Sequence, residues 1–399
     1  MKLRINICHI YFFVILLCAL NGTLYAPGGI LAQGFQAVLI LISLYYAFYA
    51  NSKYKLPLYF KALNVLLIMF TIYGVILLTG SGSLSIQGSY MELPKTEYLK
   101  TIYKSLLPVY PFFVFTKQGL LKESTLKVWF FIFIVFAIRS FFITRAAKLQ
   151  AAIERGSSAE EFTLNIGYSF VALLPALVLF YKKPLIQYAV MMICFYFIVA
   201  AMKRGAIICG VICLVWFIVT NLKKVQGNRK LIVLVISLAM VLGGIYLYYY
   251  MLESSSYFRY RLESTMEGDS SMRDEIYQTL WSHFIHEGNA LRFLFGYGAN
   301  ATVKIASNLA HNDWLEIATN QGLIGLVIYL VYWICFYITW RRTKQYPQAF
   351  MAIGMLLIIY LLMTLFSMSY NVMTKSSTMV LGYYLAIADK ASSSSEQMV

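Results

Sequence analysis

Apolar positions along this chain come in long uninterrupted blocks. They show neither the alternation of a half-buried strand nor the single apolar stripe of a soluble helix. The blocks fall at about 5–22, 28–50, 58–79, 99–116, 125–143, 164–181, 185–202, 204–220, 230–250, 321–339, 348–368 and 371–388. Each is long enough, or nearly so, to cross a hydrocarbon core about 30 Å thick as a helix. The pattern predicts an all-α polytopic integral membrane protein with about 12 transmembrane helices. Residues 1–390 are expected to form a single transmembrane domain. One long extramembrane loop with short helices, 251–320, lies within it, and a disordered tail is expected over 391–399. The fourth and last blocks are the least regular, because Lys104 and Lys375 fall in or near them. Lysines near span ends can extend to the interface. The first block follows Lys2 and Arg4 as a signal peptide would, but it lacks a small-residue cleavage site and is read as a retained span.

The basic residues set the orientation. Lys2 and Arg4 are followed in alternate connections by Lys53, Lys55 and Lys61, then by Lys117, Lys122 and Lys127. Lys182 and Lys183 come next, then Lys223, Lys224, Arg229 and Lys230, then Arg341, Arg342 and Lys344. By the positive-inside rule these connections and both termini face the cytoplasm. Segments 80–98, 144–163 and 251–320 then face outward. Composition agrees: 60% of residues are apolar, 13% are charged and the mean hydropathy is +0.69. The net charge of +16 is therefore mostly topological. It implies contact with membrane lipids and gives no reason to expect nucleic acid. None of the six cysteines lies in the long loop, so no external disulfide framework is expected. Cys209 and Cys213 have ligand-like spacing in an apolar block and are read as filling. No internal repeat of the kind that marks many secondary transporters is visible.

The outward segments hold the candidate chemistry. In Met202–Ile208 (MKRGAII), Lys203 and Arg204 fall on the outer side, against the charge rule. They are either interfacial bases or an anion site, in which the helix N-terminus adds free N–H groups to a forked guanidinium. Arg273 opens a predicted surface helix over 273–285, whose Ile276, Leu280 and Phe284 are spaced for one face. Arg259 and Arg261 in YFRYR compete for the anion role or bind lipid headgroups, and Arg139 and Arg145 flank the exit of the fifth span. The sequence does not choose among them. A helix is expected from Asn308 to Ala318, and Gly322 and Gly325 would let the following span bend or pack closely. His311 stands in AHNDWLEIATNQGLIG at the lip of that span. Its imidazole suits proton transfer near neutral pH, or it caps the following helix. Trp281, Tyr297 and Trp314 offer surfaces for stacking on sugars, and Asn312 adjoins His311. His283 and His286 have no third histidine or acidic cluster to complete a metal motif, and no metal or cofactor is expected.

The C-terminal third resembles the bacterial O-antigen polymerase and O-antigen ligase superfamily. The resemblance rests on Lys203–Arg204–Gly205, Ser271–Met272–Arg273, Trp281, Leu294–Phe295–Gly296–Tyr297–Gly298, His311–Asn312 and Gly322–Leu323–Ile324–Gly325. It covers about 190–340; the earlier spans match mainly in number and hydropathy. Lys203 departs from the serine common before the arginine–glycine pair. The resemblance implies a multi-pass protein of the bacterial inner membrane, with its active site facing the periplasm. It implies inverting, metal-independent transfer of glycan from undecaprenyl diphosphate. Arg204 and Arg273 would hold the donor diphosphate and His311 would activate or orient the acceptor hydroxyl. Lys203, Arg259, Arg261, Trp281, Tyr297, Asn312 and Trp314 would line the substrate site. The acceptor would be a lipid-linked glycan, as in a polymerase of O-antigen or capsular polysaccharide, or lipid A–core, as in a ligase; the polymerase reading is slightly preferred. A flippase and a chain-length regulator would be natural partners. A polysaccharide flippase or transporter is the non-catalytic alternative and accounts less economically for the long loop and His311.

Overall fold

The computed structural model describes residues 6–21, 24, 28–80, 84–85, 92–154, 163–224, 228–254, 256, 259–260, 263, 273–366 and 375–396. The N-terminal half holds α1 (Ile7–Ala19), α2 (Ile30–Lys53), α3 (Leu58–Thr79), α4 (Lys95–Leu106), α5 (Val109–Lys117) and α6 (Glu123–Glu154). α7 (Gly167–Leu173) runs on as a 3-10 helix, Leu174–Phe180, and is followed by α8 (Pro184–Ala200), α9 (Arg204–Lys224) and α10 (Asn228–Ser254). Three short helices follow, α11 (Arg273–Ile285), α12 (Ala290–Phe295) and α13 (Ala301–Ala306). The chain then returns through α14 (Asp313–Arg342), α15 (Pro347–Phe366) and α16 (Lys375–Glu396). One antiparallel pair of two-residue strands, Leu84–Ser85 with Glu92–Leu93, lies between α3 and α4.

This is an all-α, multi-pass membrane architecture. Among the described residues, seven helices are long and apolar enough to cross a membrane: α2, α3, α6, α9, α10, α14 and α15. Ile7–Ala19, Gly167–Phe180 and Pro184–Ala200 are apolar but shorter. The fourth expected span is two helices, α4 and α5, parted at Pro108. Proline has no N–H to continue the ladder. The sixth narrows to a 3-10 helix where Pro175 enters. The last helix continues to Glu396, past residue 390 where the membrane domain was expected to end. α6 continues past Phe142 and Arg145 to Glu154, so that it is longer than a bilayer core requires.

Burial is sorted as a bilayer demands. Large apolar side chains lie on the outside, with Ile30 at 92% and Phe48 at 75% exposure, while Ser43, Ser105, Thr116 and Gln187 are enclosed. Without water, enclosed polar groups must find internal partners. Ser43 donates to Leu39 O at 2.6 Å and Gln187 to Leu177 O at 2.9 Å. α5, buried from Val109 to Thr116, packs against α16, and α14 packs along α3. All six cysteines are free.

α14 is not continuous. At Gly322 the backbone turns to φ 68°, ψ −162°. The carbonyls just before this break lose their helical donors. Tyr297 N–H donates to Thr319 O and Gly298 N–H to Asn320 O, each at 2.9 Å. Gly296, at φ 73°, ψ −170°, makes the matching turn at the end of α12. A Cβ on Gly322 would stand 2.5 Å from Gly296 N, and one on Gly296 would stand 2.5 Å from Asn320 C. The two glycines therefore interlock, in a backbone region that other residues hardly enter. Gly322→Ala should destabilise the protein by roughly 2–5 kcal/mol through backbone strain and overpacking together. Thermal unfolding of the purified variant in detergent should show a marked loss. An unchanged midpoint would mean that the interlock relaxes at little cost.

Candidate active site

The site is built where the C-terminal ends of α8 and α15 meet the N-terminal ends of α9, α11 and α14. The α8–α9 turn passes through Met202 in a left-handed conformation, φ 51°. Ala201 O accepts from Leu164 N–H at 2.9 Å, tying the turn to the segment before α7. This turn presents Lys203, and Arg204 opens α9; both are half-buried. α11 begins at Arg273 and carries Tyr277 one turn on, with Leu280 and Phe284 buried beneath.

His311 closes the other side. It too is left-handed, φ 51°, and Asn312 follows in an extended conformation as the cap of α14. Asn312 Oδ1 accepts from Trp314 N–H at 3.0 Å and Leu315 N–H at 3.2 Å, satisfying two orphan donors of the first turn. Its side-chain amide donates to Leu365 O at 3.3 Å. Trp314 Nε1 donates to Thr364 Oγ1 at 3.0 Å. The Tyr277 hydroxyl lies 3.4 Å from both His311 O and Leu365 O, to which its one proton can be given. The His311 turn is thus pinned between α11 and the end of α15. The helix expected from Asn308 begins instead at Asp313, because Asn312 caps it.

Beneath the turn lies a polar cluster that the sequence reading passed over. Glu316, 1% exposed, accepts from Thr302 Oγ1 at 2.7 Å, Ala310 N–H at 2.8 Å and Asn320 Nδ2 at 2.8 Å. Ala310 is the residue before His311, so Glu316 holds the turn from inside. Asp313, also enclosed, accepts from the Tyr329 hydroxyl at 2.5 Å. Two acids in an apolar segment were the available signal, since buried carboxylates need dedicated donors.

Electrostatics joins His311 to the cations. Burial pushes its pKa below the ordinary histidine value, and the charges of Arg273 and then Lys203 push it further down. Both cations are therefore close enough to act on the imidazole. Arg273 also acts on Tyr168 of α7. Arg204 adjoins Lys203 in the chain, but Lys203 is the one whose charge reaches His311.

The other expected residues lie elsewhere or at the edge. Trp281 is on α11, half exposed, with its ring 6.1 Å from that of Phe284. The Tyr297 hydroxyl donates to Glu287, its ring faces the Arg292 guanidinium at 5.7 Å, and it meets His283 edge-on at 6.1 Å. This is a cluster of its own. Arg259 is exposed and donates back to Leu252 O at 3.0 and 3.2 Å. Arg261, Ser271 and Met272 lie outside the described residues. His286 Nδ1 lies 3.0 Å from Ser282 O, and among the described residues no three His, Cys, Asp or Glu side chains converge on a metal position.

Lys203, Arg204, Arg273 and His311 all fall within one stretch that matches a known family. Residues 189–330 match the O-Antigen ligase family model. The match takes in α8 to α13, the His311 turn and the first part of α14, just over a third of the chain. No curated protein matches the sequence. Together, the O-antigen ligase match and the multi-pass helical fold support an activity of the glycan-transfer type.

The cluster under the turn is testable apart from any reaction. Glu316→Gln replaces one acceptor oxygen with a donor, so one of its three donor partners is left facing an N–H₂ group. Loss of about 1–3 kcal/mol of stability is expected. Thermal unfolding should show it, while Glu275→Gln, at an exposed carboxylate on α11, should be nearly neutral. Equal effects from both would remove Glu316 from its anchoring role.

Proposed function

We propose that this protein transfers glycan from undecaprenyl diphosphate to a sugar hydroxyl at the periplasmic face of the bacterial inner membrane. The observation that carries this reading is the meeting of His311 with Arg273 and Lys203 in the segment that matches the O-antigen ligase model. Cations acting on a neutral imidazole suit a reaction that releases a diphosphate while an alcohol loses its proton.

In this reaction the acceptor oxygen attacks the anomeric carbon from the side opposite the diphosphate. The carbon–oxygen bond to the diphosphate breaks, its electron pair leaves with that oxygen, and configuration inverts. The acceptor proton passes to His311. Arg273, Lys203 and Arg204 balance the charge that develops on the leaving diphosphate, without a metal. Arg273 contributes a fork that can take two phosphate oxygens at once. The depressed pKa keeps His311 neutral and ready to accept a proton. Arrival of the anionic donor offsets the two cations and strengthens that base. Asn312 orients the turn, and Trp314 and Trp281 flank the approach of the acceptor. Arg259 and Tyr297, which lie off the His311 turn, would meet a long glycan or its lipid, and the same role is proposed for Arg261 from its place in the sequence.

The topology proposed is that of twelve crossings with both termini cytoplasmic. The seven long helices supply most of these, and α1, α4 with α5, α7 with its 3-10 extension, α8 and α16 supply the rest. Basic side chains from the α2–α3 connection, α5 and the end of α14 meet at the end of the bundle away from His311, which supports the alternation read from charge.

We favour a polymerase that adds the chain to a lipid-linked repeat of O-antigen or capsular polysaccharide. A flippase and a chain-length regulator would then be its neighbours. The description of the matched family model favours a second reading, a ligase whose acceptor is lipid A–core. Separate reactions of purified protein with each acceptor, without nucleotide or metal, distinguish the two by product. A longer lipid-linked glycan is expected; glycan only on lipid A–core would replace the polymerase with the ligase. Absence of both products from intact protein given its native donor would refute glycan transfer.

Alanine at His311 should slow turnover by about 10²–10⁴-fold, with donor affinity largely kept. Alanine at Arg273 should cost about 10²–10³-fold. Near-normal turnover of His311→Ala would exclude a general base there.

The pH profile gives a second check. Activity requires neutral His311 and should fall as pH drops through its pKa. Because that pKa is depressed, the acid limb of kcat/KM should lie below the ordinary histidine value of 6.5. Lys203→Ala removes a nearby positive charge, so the protonated imidazole becomes less costly and the limb should move up. An unmoved limb would show that the titrating group is not His311.

A further inference from the structure

The far end of the bundle carries a second cationic feature. A cavity of about 940 Å³ is walled by the α2–α3 connection, the ends of α5 and α14, the turn before α15, and α16. Lys53, Lys55, Lys61, Lys117, Arg342 and Lys344 line it, against a single acid, Asp389. Lys117 is already paired with Asp389. Among the described residues, no carboxylate forms an ion pair with Lys53, Lys55, Lys61, Arg342 or Lys344. The twenty residues from Leu323 to Arg342 separate this end from the Gly322 break, a rise of about 30 Å. The cavity is therefore a site apart from His311, on the opposite side of the hydrocarbon.

Basic residues at a cytoplasmic face usually spread over loops, where water and lipid headgroups screen them one by one. Here bases from separate chain segments wall one hollow. Like charges gathered around a concave surface with low-dielectric walls reinforce one another's field and favour an anion inside. The volume is that of a small-molecule site. Arg342 can fork onto two oxygens, and lysines add point charges. Leu56, Leu58 and Leu385 add apolar lining. An anion with many oxygens and an attached hydrocarbon would meet both surfaces, and so would a compact diphosphate at the charged wall alone.

We propose that this cavity binds a phosphate- or diphosphate-bearing anion at the cytoplasmic face, independently of the glycan-transfer site. Its source is either an anionic lipid headgroup or a soluble phosphate compound, and two binding measurements separate these. In the first, full-length protein in a neutral detergent is titrated with inorganic pyrophosphate by calorimetry. In the second, the protein in phosphatidylcholine nanodiscs is offered cardiolipin, and retained lipid is read by native mass spectrometry. Saturable binding in either measurement, weakened by salt, is the expected result, and the measurement in which it occurs names the source. The double variant Lys61→Gln with Arg342→Gln should weaken that binding about tenfold or more. Both side chains are exposed, so the variant should keep the wild-type unfolding midpoint, which is measured alongside. Lys61→Arg should retain binding and guards against a purely structural effect. The proposal is overturned if wild type binds neither pyrophosphate nor cardiolipin in preference to phosphatidylcholine. It is also overturned if the folded double variant binds as tightly as wild type.

Discussion

A backbone group without a partner inside a bilayer costs several kcal/mol, and this constraint organises the end of the molecule that holds His311. α14 breaks at Gly322, and the break would strand the carbonyls of Thr319 and Asn320. The N–H groups of Tyr297 and Gly298 complete them. That exchange fixes where the segment after α12 runs. The same Asn320 bonds through its side chain to Thr302 and Glu316, and Glu316 holds Ala310, next to His311. The position of the imidazole is thus the last link of a chain of hydrogen bonds that starts at a helix break.

Two electrostatic environments follow from the folding of a basic chain across a membrane. At one end, burial and then the charges of Arg273 and Lys203 push the pKa of His311 down. At the other, lysines and arginines from several connections surround a hollow. The separation between them is set by the straight part of α14. Basic side chains thus gather at both ends of the bundle. Among the described residues the two enclosed acids, Glu316 and Asp313, support backbone and hydroxyl groups instead.

What could be read in the sequence follows the physics of each signal. Hydropathy reports hydrocarbon contact, so the apolar helices and the long polar interruption were legible. It does not report backbone geometry, so the bend at Gly322 was suggested only by residue type and the break at Pro108 was not foreseen. The helix from Arg273 was visible in the spacing of Leu280 and Phe284. Of the site, His311, Asn312, Lys203 and Arg273 were found as side chains with suitable chemistry. Their grouping was not, because proximity between the α8–α9 turn and α11 is a property of the packed bundle. Arg204 attracted notice for its guanidinium, whereas Lys203 is the neighbour that acts on His311. Tyr297 looked like a surface for sugar and is engaged with Glu287 and Arg292. Tyr277 carries no motif of its own and becomes notable only through its hydroxyl beside His311 O.

The bonds from Asn312 to Leu365 and from Trp314 to Thr364 tie the His311 turn to the end of the penultimate described helix. A membrane protein emerges into the bilayer from its N-terminus onward. The segment holding Lys203 enters long before residue 365 exists. Until α15 is in place, the His311 turn lacks its outer anchor, whatever the state of the helices before it. Assembly of this site is therefore a late event in biosynthesis, and a nascent or C-terminally shortened chain would hold the reactive side chains without the arrangement that makes them a site.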